Sequence, residues 1–429
     1  MRFRPAARLA FLRLVRRLFP APDTAEVPFR RGEPPACPYH TSASLNVLVI
    51  RPDHLGDLLL ATPALAALRR ALPSAQITLM AGPWSESIVG HNPDVDRLLI
   101  CPFPGFTRAA KGSPAAPYAL LWREARHLRS ARYDLALNLR FDFWWGALLA
   151  YCAGIPRRYG YDLPEGGPFL SHALPYRPGR HEVWQNLTLV HAVLEDIQRA
   201  VASRHANWAG EAKHSHQSTD LSANLRTKGE WPASTPKLRF VTAVDDEIFG
   251  ARWLKERNVQ PHFCVILPGA GAAVKLWTAE GFSIVADALV ERHGLDVVIA
   301  GAMPERQLVE DIRNRMRWPA ATMVGLTVGQ VAAVLRQSSL AIGLDSGIMH
   351  LAVALGVPSV HLYGPVDHIA FGPWGEPSQH LVVTSGYWCV PCNRLDYDVA
   401  DLPNHPCVRL IDPERVLAAA EQVLCACGK

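Results

Sequence analysis

Three stretches place acids, a lysine and a histidine where short apolar runs give way to helices. There a folded chain presents free N–H groups to a ligand. The longest, 340–364, reads LAIGLDSGIMHLAVALGVPSVHLYG. Its first five residues form an apolar run, as in a strand buried on both faces. Asp345, Ser346 and Gly347 follow, and then Ile348, Leu351, Ala352 and Leu355 recur at i, i+3, i+4 and i+7, the period of an apolar helix face. Gly356 and Pro358 supply the stop signal. In a strand–helix–strand unit, ligands sit beyond the carboxyl end of the strand, where unpaired amides and the helix dipole favour phosphate. Asp345, Ser346, Gly347 and His350 are therefore expected to line an anion site. A serine or aspartate there also serves as a plain helix cap. His350, however, stands off the apolar stripe, so packing is not its obvious role.

The second stretch follows an apolar run at 262–267. Its turn, Gly269-Ala-Gly271-Ala-Ala-Val274-Lys275, leads to a helix cap at Thr278. Gly269-x-Gly271-x-x-Val274 nearly matches a dinucleotide fingerprint, but valine replaces the third glycine and the helix begins late. Asp296, the acid at about the right distance, precedes the next strand instead of ending it. A glycine-rich turn followed by Lys275 better suits a diphosphate, with backbone amides and one ammonium sharing its charge. Glu305 lies just beyond the expected strand 296–300. It is placed either to accept from two ribose hydroxyls or simply to favour a helix start.

The third stretch begins at the expected strand 45–50 and runs Arg51-Pro-Asp-His-Leu-Gly56-Asp57 into a helix carrying Leu58, Ala61, Leu65 and Leu68. Gly56 permits a tight turn, and Asp57 sits at the helix start. Further strands are expected at 76–81, 97–101 and 134–139, the alternation of an open parallel α/β sheet. A helix opens at 179–186, GRHEVWQN. Trp144 and Trp145 suit either sugar stacking or a core.

Three of these motifs carry a resemblance. D-S-G-x-M-H at 345–350, with its helix, G-V-P and Y-G-P, resembles the C-terminal signature of the ADP-heptose:lipopolysaccharide heptosyltransferases, glycosyltransferase family 9. R-x-x-x-L-G-D-x-x-x-x-x-P from Arg51 to Pro63 resembles the N-terminal one, and 179–186 resembles a family segment near the interdomain cleft. The likeness spans 45 to about 424. It implies a GT-B fold, two Rossmann-like parallel-sheet domains facing a cleft. The implied reaction is inverting transfer of heptose from ADP-heptose to the lipopolysaccharide core on a lipid-linked oligosaccharide acceptor. Asp57 then corresponds to the base. Lys275 and the helix start after Asp345 stabilise the leaving diphosphate, and Gly269, Gly271, Glu305, Asp345, Ser346, Gly347 and His350 bind the donor. Arg51, His181 and Glu182 fall on the acceptor side. No cofactor and no metal are implied. Ser346 stands where the family often has threonine, which keeps the hydroxyl. Three other readings stay open: a different nucleotide sugar or acceptor, a nicotinamide-dependent oxidoreductase using the turn at Gly269, and a silent membrane-surface scaffold.

The elements that must position these residues divide into an arm and linker at 1–44, an acceptor-side domain at 45–240 and a nucleotide-sugar domain at 241–429. Within 45–240 the polar stretch 203–236 is expected as a mobile insertion or interdomain loop. The 429 residues exceed one comfortable core, and 49% hydrophobic with 19% charged residues suits a globular protein. Six arginines and no acid fall in the first twenty residues, so the net charge of +5 resides in the arm and the body is slightly acidic. The body therefore offers no nucleic-acid surface. As a helix from Pro5, the arm gathers Phe11, Leu14, Val15 and Leu18 opposite Arg13, Arg16 and Arg17, the pattern of an interfacial helix. A disordered arm and a helix packed on its own domain are the alternatives. Arginines interrupt every apolar run, so no export signal is expected, and nine cysteines, an odd number, point to a reducing compartment. The enzyme is thus expected in the cytoplasm, peripheral to the inner membrane. Cys389, Cys392 and Cys407 have part of a zinc spacing but lack its second pair, and no metal is expected there.

Overall fold

The computed structural model describes residues 12, 13, 16, 17, 45–107, 113–209 and 236–428. Two six-stranded sheets organise them. The first contains β1 (Asn46–Arg51), β2 (Gln76–Ala81), β3 (Arg97–Ile100), β4 (Leu135–Asn138), β5 (Arg157–Tyr161) and β6 (His172–Leu174), in the order 3-2-1-4-5-6. The second contains β7 (Phe263–Leu267), β8 (Asp296–Gly301), β9 (Ala321–Val324), β10 (Leu340–Leu344), β11 (Ser359–Tyr363) and β12 (His380–Thr384). Counted from its own first strand, the second sheet has the same order. Every strand pair is parallel. Helices cover both faces, so the central strands β7, β10 and β11 are buried at all five positions. This is the Rossmann order, twice.

In such a sheet the crossovers leave in opposite directions on either side of the first strand, opening a crevice beyond its carboxyl end. The crevices lie at β1/β4 and β7/β10. The turns that follow these four strands carry Asp57, Arg140, Gly269 and Asp345, which is why the chemistry collects there.

The two halves touch at their helix starts. The helix Leu55–Ala71 follows β1, and the helix Gly347–Ala354 follows β10. They meet at Gly56 and Gly347: a Cβ on Gly56 would lie 2.9 Å from His350 Cδ2 and 3.1 Å from Gly347 Cα. A Cβ on Gly347 would lie 2.8 Å from the Gly56 nitrogen. A second tie joins the helix Glu182–Ala209 to the far half. His181 Nε2 lies 3.1 Å from the Gly372 carbonyl oxygen, and the Trp374 ring packs against His181 and Trp184 at centroid distances of 4.6 and 5.3 Å.

Several expectations change in three dimensions. The helix Glu182–Ala209 continues into the stretch expected as a loop; positions 210–235 lie outside the described residues. Strands β5, β6, β9 and β12 were not expected. β5, RRYGY, carries two arginines, yet Arg158 satisfies its buried guanidinium on the carbonyls of Ile155, Pro156 and Phe169. Trp145 is core, its indole N–H donating to the Pro117 carbonyl. In the arm, Leu12 is buried against the first half while Arg16 and Arg17 are exposed. Phe11, Leu14, Val15 and Leu18 lie outside the described residues.

Gly347→Ala tests the junction. Because backbone, not a flexible side chain, meets the new methyl, overpacking should cost about 1–3 kcal/mol and lower turnover. Denaturant unfolding and rate both equal to wild type would show that the helix starts are not in close contact.

Candidate active site

Asp57 lies in the first turn of the helix Leu55–Ala71, at the floor of a cleft between the halves. Its setting is built by Arg51, the last residue of β1, whose side chain is 1% exposed. The Arg51 guanidinium reaches Asp53 Oδ2 at 2.7 Å, Glu182 Oε1 at 2.7 Å, Asn186 Oδ1 at 3.2 Å and Asp57 Oδ1 at 3.6 Å. Burial alone would lower the Arg51 pKa, but Asp53, Glu182 and Asp57 together hold it above its ordinary value. Glu182 is pushed up by burial and pulled back by Arg51. On its other side Asp53 is paired with Arg140, which also binds Asp142 through Nε at 2.6 Å.

Asp57 is the open member of this cluster, its side chain 36% exposed to the cleft. Its enclosed position, then the Asp53 and Glu182 charges against Arg51 and Arg140, push its pKa up to about 7. A carboxylate poised near neutrality, touched by solvent and held by a buried guanidinium, is suited to take a proton.

The second half supplies the opposite charge. β7 ends at Leu267, and the turn beyond it ends in a short 3-10 turn, Ala273–Lys275. Lys275 Nζ lies 2.8 Å from Asp345 Oδ2, both side chains about nine-tenths buried. Sequence reasoning gave these residues separate tasks; the fold joins them. The ammonium keeps two donors for a ligand. The helix after Asp345 starts without a side-chain cap: Ser346 occupies the N-cap position but makes no capping bond, and its Oγ is buried with no partner among the described residues. Thr278 and Thr327, by contrast, cap their own helices. His350 is buried one turn in, its Nδ1 also without a partner among the described residues. Burial lowers its pKa to about 4 despite Asp345, so the ring is neutral. An uncapped helix start, an ammonium and a buried hydroxyl converge here as an anion cradle.

Gly269 is constrained by Glu305. A Cβ there would lie 2.0 Å from Glu305 Oε1, whereas one on Gly271 meets nothing within 4 Å. Glu305 Oε2 accepts from the Ala302 amide at 2.7 Å, so Glu305 braces the turn after β8 and keeps Oε1 over Gly269. It thus both orders a helix start and faces the cleft.

The cleft encloses about 870 Å³, within the range of ligand sites. It brings together Asp57, Gly269, Gly271, Lys275, Glu305, Asp345, Ser346, Gly347 and His350 on its walls. Arg51, His181 and Glu182 are not on those walls. Arg51 and Glu182 form the buried support of Asp57. His181 accepts from the Val183 amide at Nδ1 and lies against Gly372 through Nε2, a tie between halves. Sequence reasoning missed Asp53, Arg140 and Trp84, whose indole N–H donates to the Asp53 carbonyl at 2.6 Å. Asp53 was visible inside the Arg51–Asp57 motif; Arg140 had no local signal. In the second half, Cys389 and Cys392 belong to a loop tied through Asn393 to Pro365 and Asp367 beyond β11, and Cys407 is buried. No group of three metal-ligating side chains occurs among the described residues.

Two facing Rossmann sheets with an anion cradle on one and a carboxylate on the other define the GT-B class of glycosyltransferase. The glycosyltransferase family 9 (heptosyltransferase) model matches residues 121–398, and the chain belongs to this family. It is 26% identical over 380 residues to lipopolysaccharide heptosyltransferase 3 of Escherichia coli K12, covering 86% of this chain and 95% of that one. Lipopolysaccharide heptosyltransferase 2 of the same strain is 24% identical over 389 residues, covering 89% and 99%. Among solved structures, a family 9 glycosyltransferase from Veillonella parvula superposes with a TM-score of 0.68 at 22% identity, covering 89% of this chain and 97% of that one. E. coli ADP-heptose lipopolysaccharide heptosyltransferase II does so at 0.63 and 19%, covering 90% and 100%. These structures share the fold.

The charge arrangement predicts a pH dependence. If Asp57 must be ionised to act, turnover falls below about pH 7 and levels off above it. Asp53 raises the Asp57 pKa, so Asp53→Asn should move this acid limb to lower pH, even if the lost ion pairs weaken the fold. A limb that stays in place, or moves up, would show that Asp57 is not the group titrating.

Proposed function

We propose that this enzyme transfers heptose from ADP-heptose to the core of a lipid-linked lipopolysaccharide acceptor, with inversion at the anomeric carbon. What carries the reading is one cleft with Asp57 on the wall of the first half and the Lys275–Asp345 pair with the Gly347 helix start on the second. The acceptor side is then 45–240 and the donor side 241–429. Curated relatives named as heptosyltransferases support the donor and the acceptor class.

In this mechanism an acceptor hydroxyl attacks the anomeric carbon from the face opposite the diphosphate. Its proton passes to the Asp57 carboxylate, a new C–O bond forms, and the bond to the diphosphate breaks with its electron pair going to ADP. Lys275 and the free amides at Gly347 meet the charge that develops on the leaving group. Asp345 holds the ammonium toward the phosphates, and Glu305 Oε1 is placed to accept from ribose hydroxyls. A dinucleotide reading of the turn at Gly269 lacks support, since family membership makes the chain a glycosyltransferase.

The arm completes the proposal. Leu12 anchors it to the first half, and Arg13, Arg16 and Arg17 line a hollow of about 500 Å³ with Pro164 and Pro168. No helix among the described residues is long and apolar enough to cross a membrane. The arginines are suited to hold the enzyme on the anionic inner face of the membrane, each contributing about 1 kcal/mol in a salt-sensitive way. In the cell the enzyme would then be cytoplasmic and peripheral.

Asp57→Asn should keep donor affinity and lower turnover by roughly a hundredfold or more. Near-normal turnover would remove Asp57 from the role of base. Arg13, Arg16 and Arg17 changed together to glutamine should reduce binding to anionic liposomes without slowing turnover on a soluble acceptor. Equal liposome binding would remove the arm from membrane attachment.

A further inference from the structure

A diphosphate in the cleft would compete with Asp345 for the Lys275 ammonium. Among the described residues, Lys275 is the one lysine or arginine that the second half places on the cleft walls. As the ammonium turns part of its charge to phosphate oxygens, Asp345 is left as a carboxylate whose side chain is 11% exposed, beside a ligand of its own sign. A buried charge that loses its partner is costly. A neutral donor behind Asp345 offsets that cost. Ser346 and His350 line the cleft themselves and are open to the ligand.

Tyr363, the last residue of β11, stands in that place. Strands β10 and β11 pair in register as far as Leu344 and Leu362, and the Asp345 amide donates to the Leu362 carbonyl at 3.0 Å. Asp345 and Tyr363 come next on their two strands, where matched side chains leave on the same face. Tyr363 is 1% exposed. Its hydroxyl donates to the Phe371 carbonyl at 2.7 Å and also interacts with the Asp345 carboxylate. Burial first, and then Asp345, raise its pKa well above the ordinary tyrosine value, so the group is a neutral donor with a single proton. One proton thus faces two acceptors, and rotation about the C–O bond moves it between them without moving the ring. Phe371 ends the short helix His368–Phe371 and lines the cleft, and the carbonyl that follows it, at Gly372, lies against His181 of the first half.

We propose that Tyr363 is a positioning residue of the donor site, whose hydroxyl rests on the Phe371 carbonyl and turns to the Asp345 carboxylate when a ligand's diphosphate draws on the Lys275 ammonium. A hydrogen bond to a charged acceptor is stronger than one to a neutral carbonyl, so the proton moves once Asp345 shares its lysine. The inference rests on the reading of Lys275 as a holder of the donor diphosphate and deepens it. It names the group that keeps the neighbouring carboxylate in place while the ammonium is engaged.

Calorimetric titration of the full chain with ADP, inorganic pyrophosphate and adenosine tests this without turnover. Tyr363→Phe keeps the ring and removes only the hydroxyl. It should weaken ADP and pyrophosphate alike, by about fivefold or more, and leave adenosine within about twofold. In an Asp345→Asn background no carboxylate waits for the proton, and there Tyr363→Phe should change ADP affinity by less than about twofold. A general loosening of the fold would weaken adenosine as well and would persist in that background. Thermal melts show which variants are folded, and Tyr363→Met, a flexible apolar replacement, carries the same expectations if Tyr363→Phe is not. With wild-type protein binding both phosphate ligands, unchanged ADP and pyrophosphate affinity in the folded variant overturns the role of Tyr363 alone. An equal loss for adenosine, or an equal loss in the Asp345→Asn background, overturns it too. Wild-type protein that binds neither ADP nor pyrophosphate would overturn the diphosphate reading itself and this inference with it.

Discussion

Two helices begin at the cleft with no room for a methyl group between them. Gly56 and Gly347 meet where the turns after β1 and β10 come together, and the close approach of backbone to backbone sets the distance between the halves. Asp57 lies one residue past the first glycine, and the uncapped amides open at the second. A side chain at either position would press on the facing backbone and move Asp57 away from the uncapped helix start. The contact also explains the burial of His350, whose ring fills the space that Gly56 leaves open.

The electrostatics follow from this geometry. Arg51 brings Asp53, Asp57 and Glu182 to one guanidinium in a nearly closed interior, where a lone charge would be costly. The carboxylates exceed what it neutralises, so the surplus falls on Asp57, the member open to solvent. Across the cleft the balance differs: Lys275 is matched by Asp345, and the helix start adds positive potential without adding an ion. A carboxylate and a positively polarised helix start with its lysine thus line one cleft, as the proposed displacement of a diphosphate by a hydroxyl requires.

Much of this was legible in the sequence because local rules govern it. The runs at 340–344 and 76–81 reappear with the same bounds as β10 and β2, and Thr278 caps its helix as its type and position suggest. The turns after β1, β7 and β10 carry glycines and acids whose backbone role is set by immediate neighbours. Strands β5, β6, β9 and β12 escaped, and β5 shows one reason: it carries two arginines, and the buried one, Arg158, is accepted inside because carbonyls of the flanking loops take its N–H groups.

The sequence by itself determined the periodicity of the elements, the turns between them and the residue types at the strand ends, because these depend on contacts a few residues apart. Tertiary structure decided the roles. Arg51 and Glu182, 131 residues apart, became a buried support instead of an acceptor surface. Lys275 and Asp345 became a pair, Arg140 entered the cleft without a local motif, and His181 became a tie between halves. Each outcome depends on which carboxyl ends the repeated strand order brings face to face. That is a property of packing between distant segments, which no stretch of sequence encodes alone.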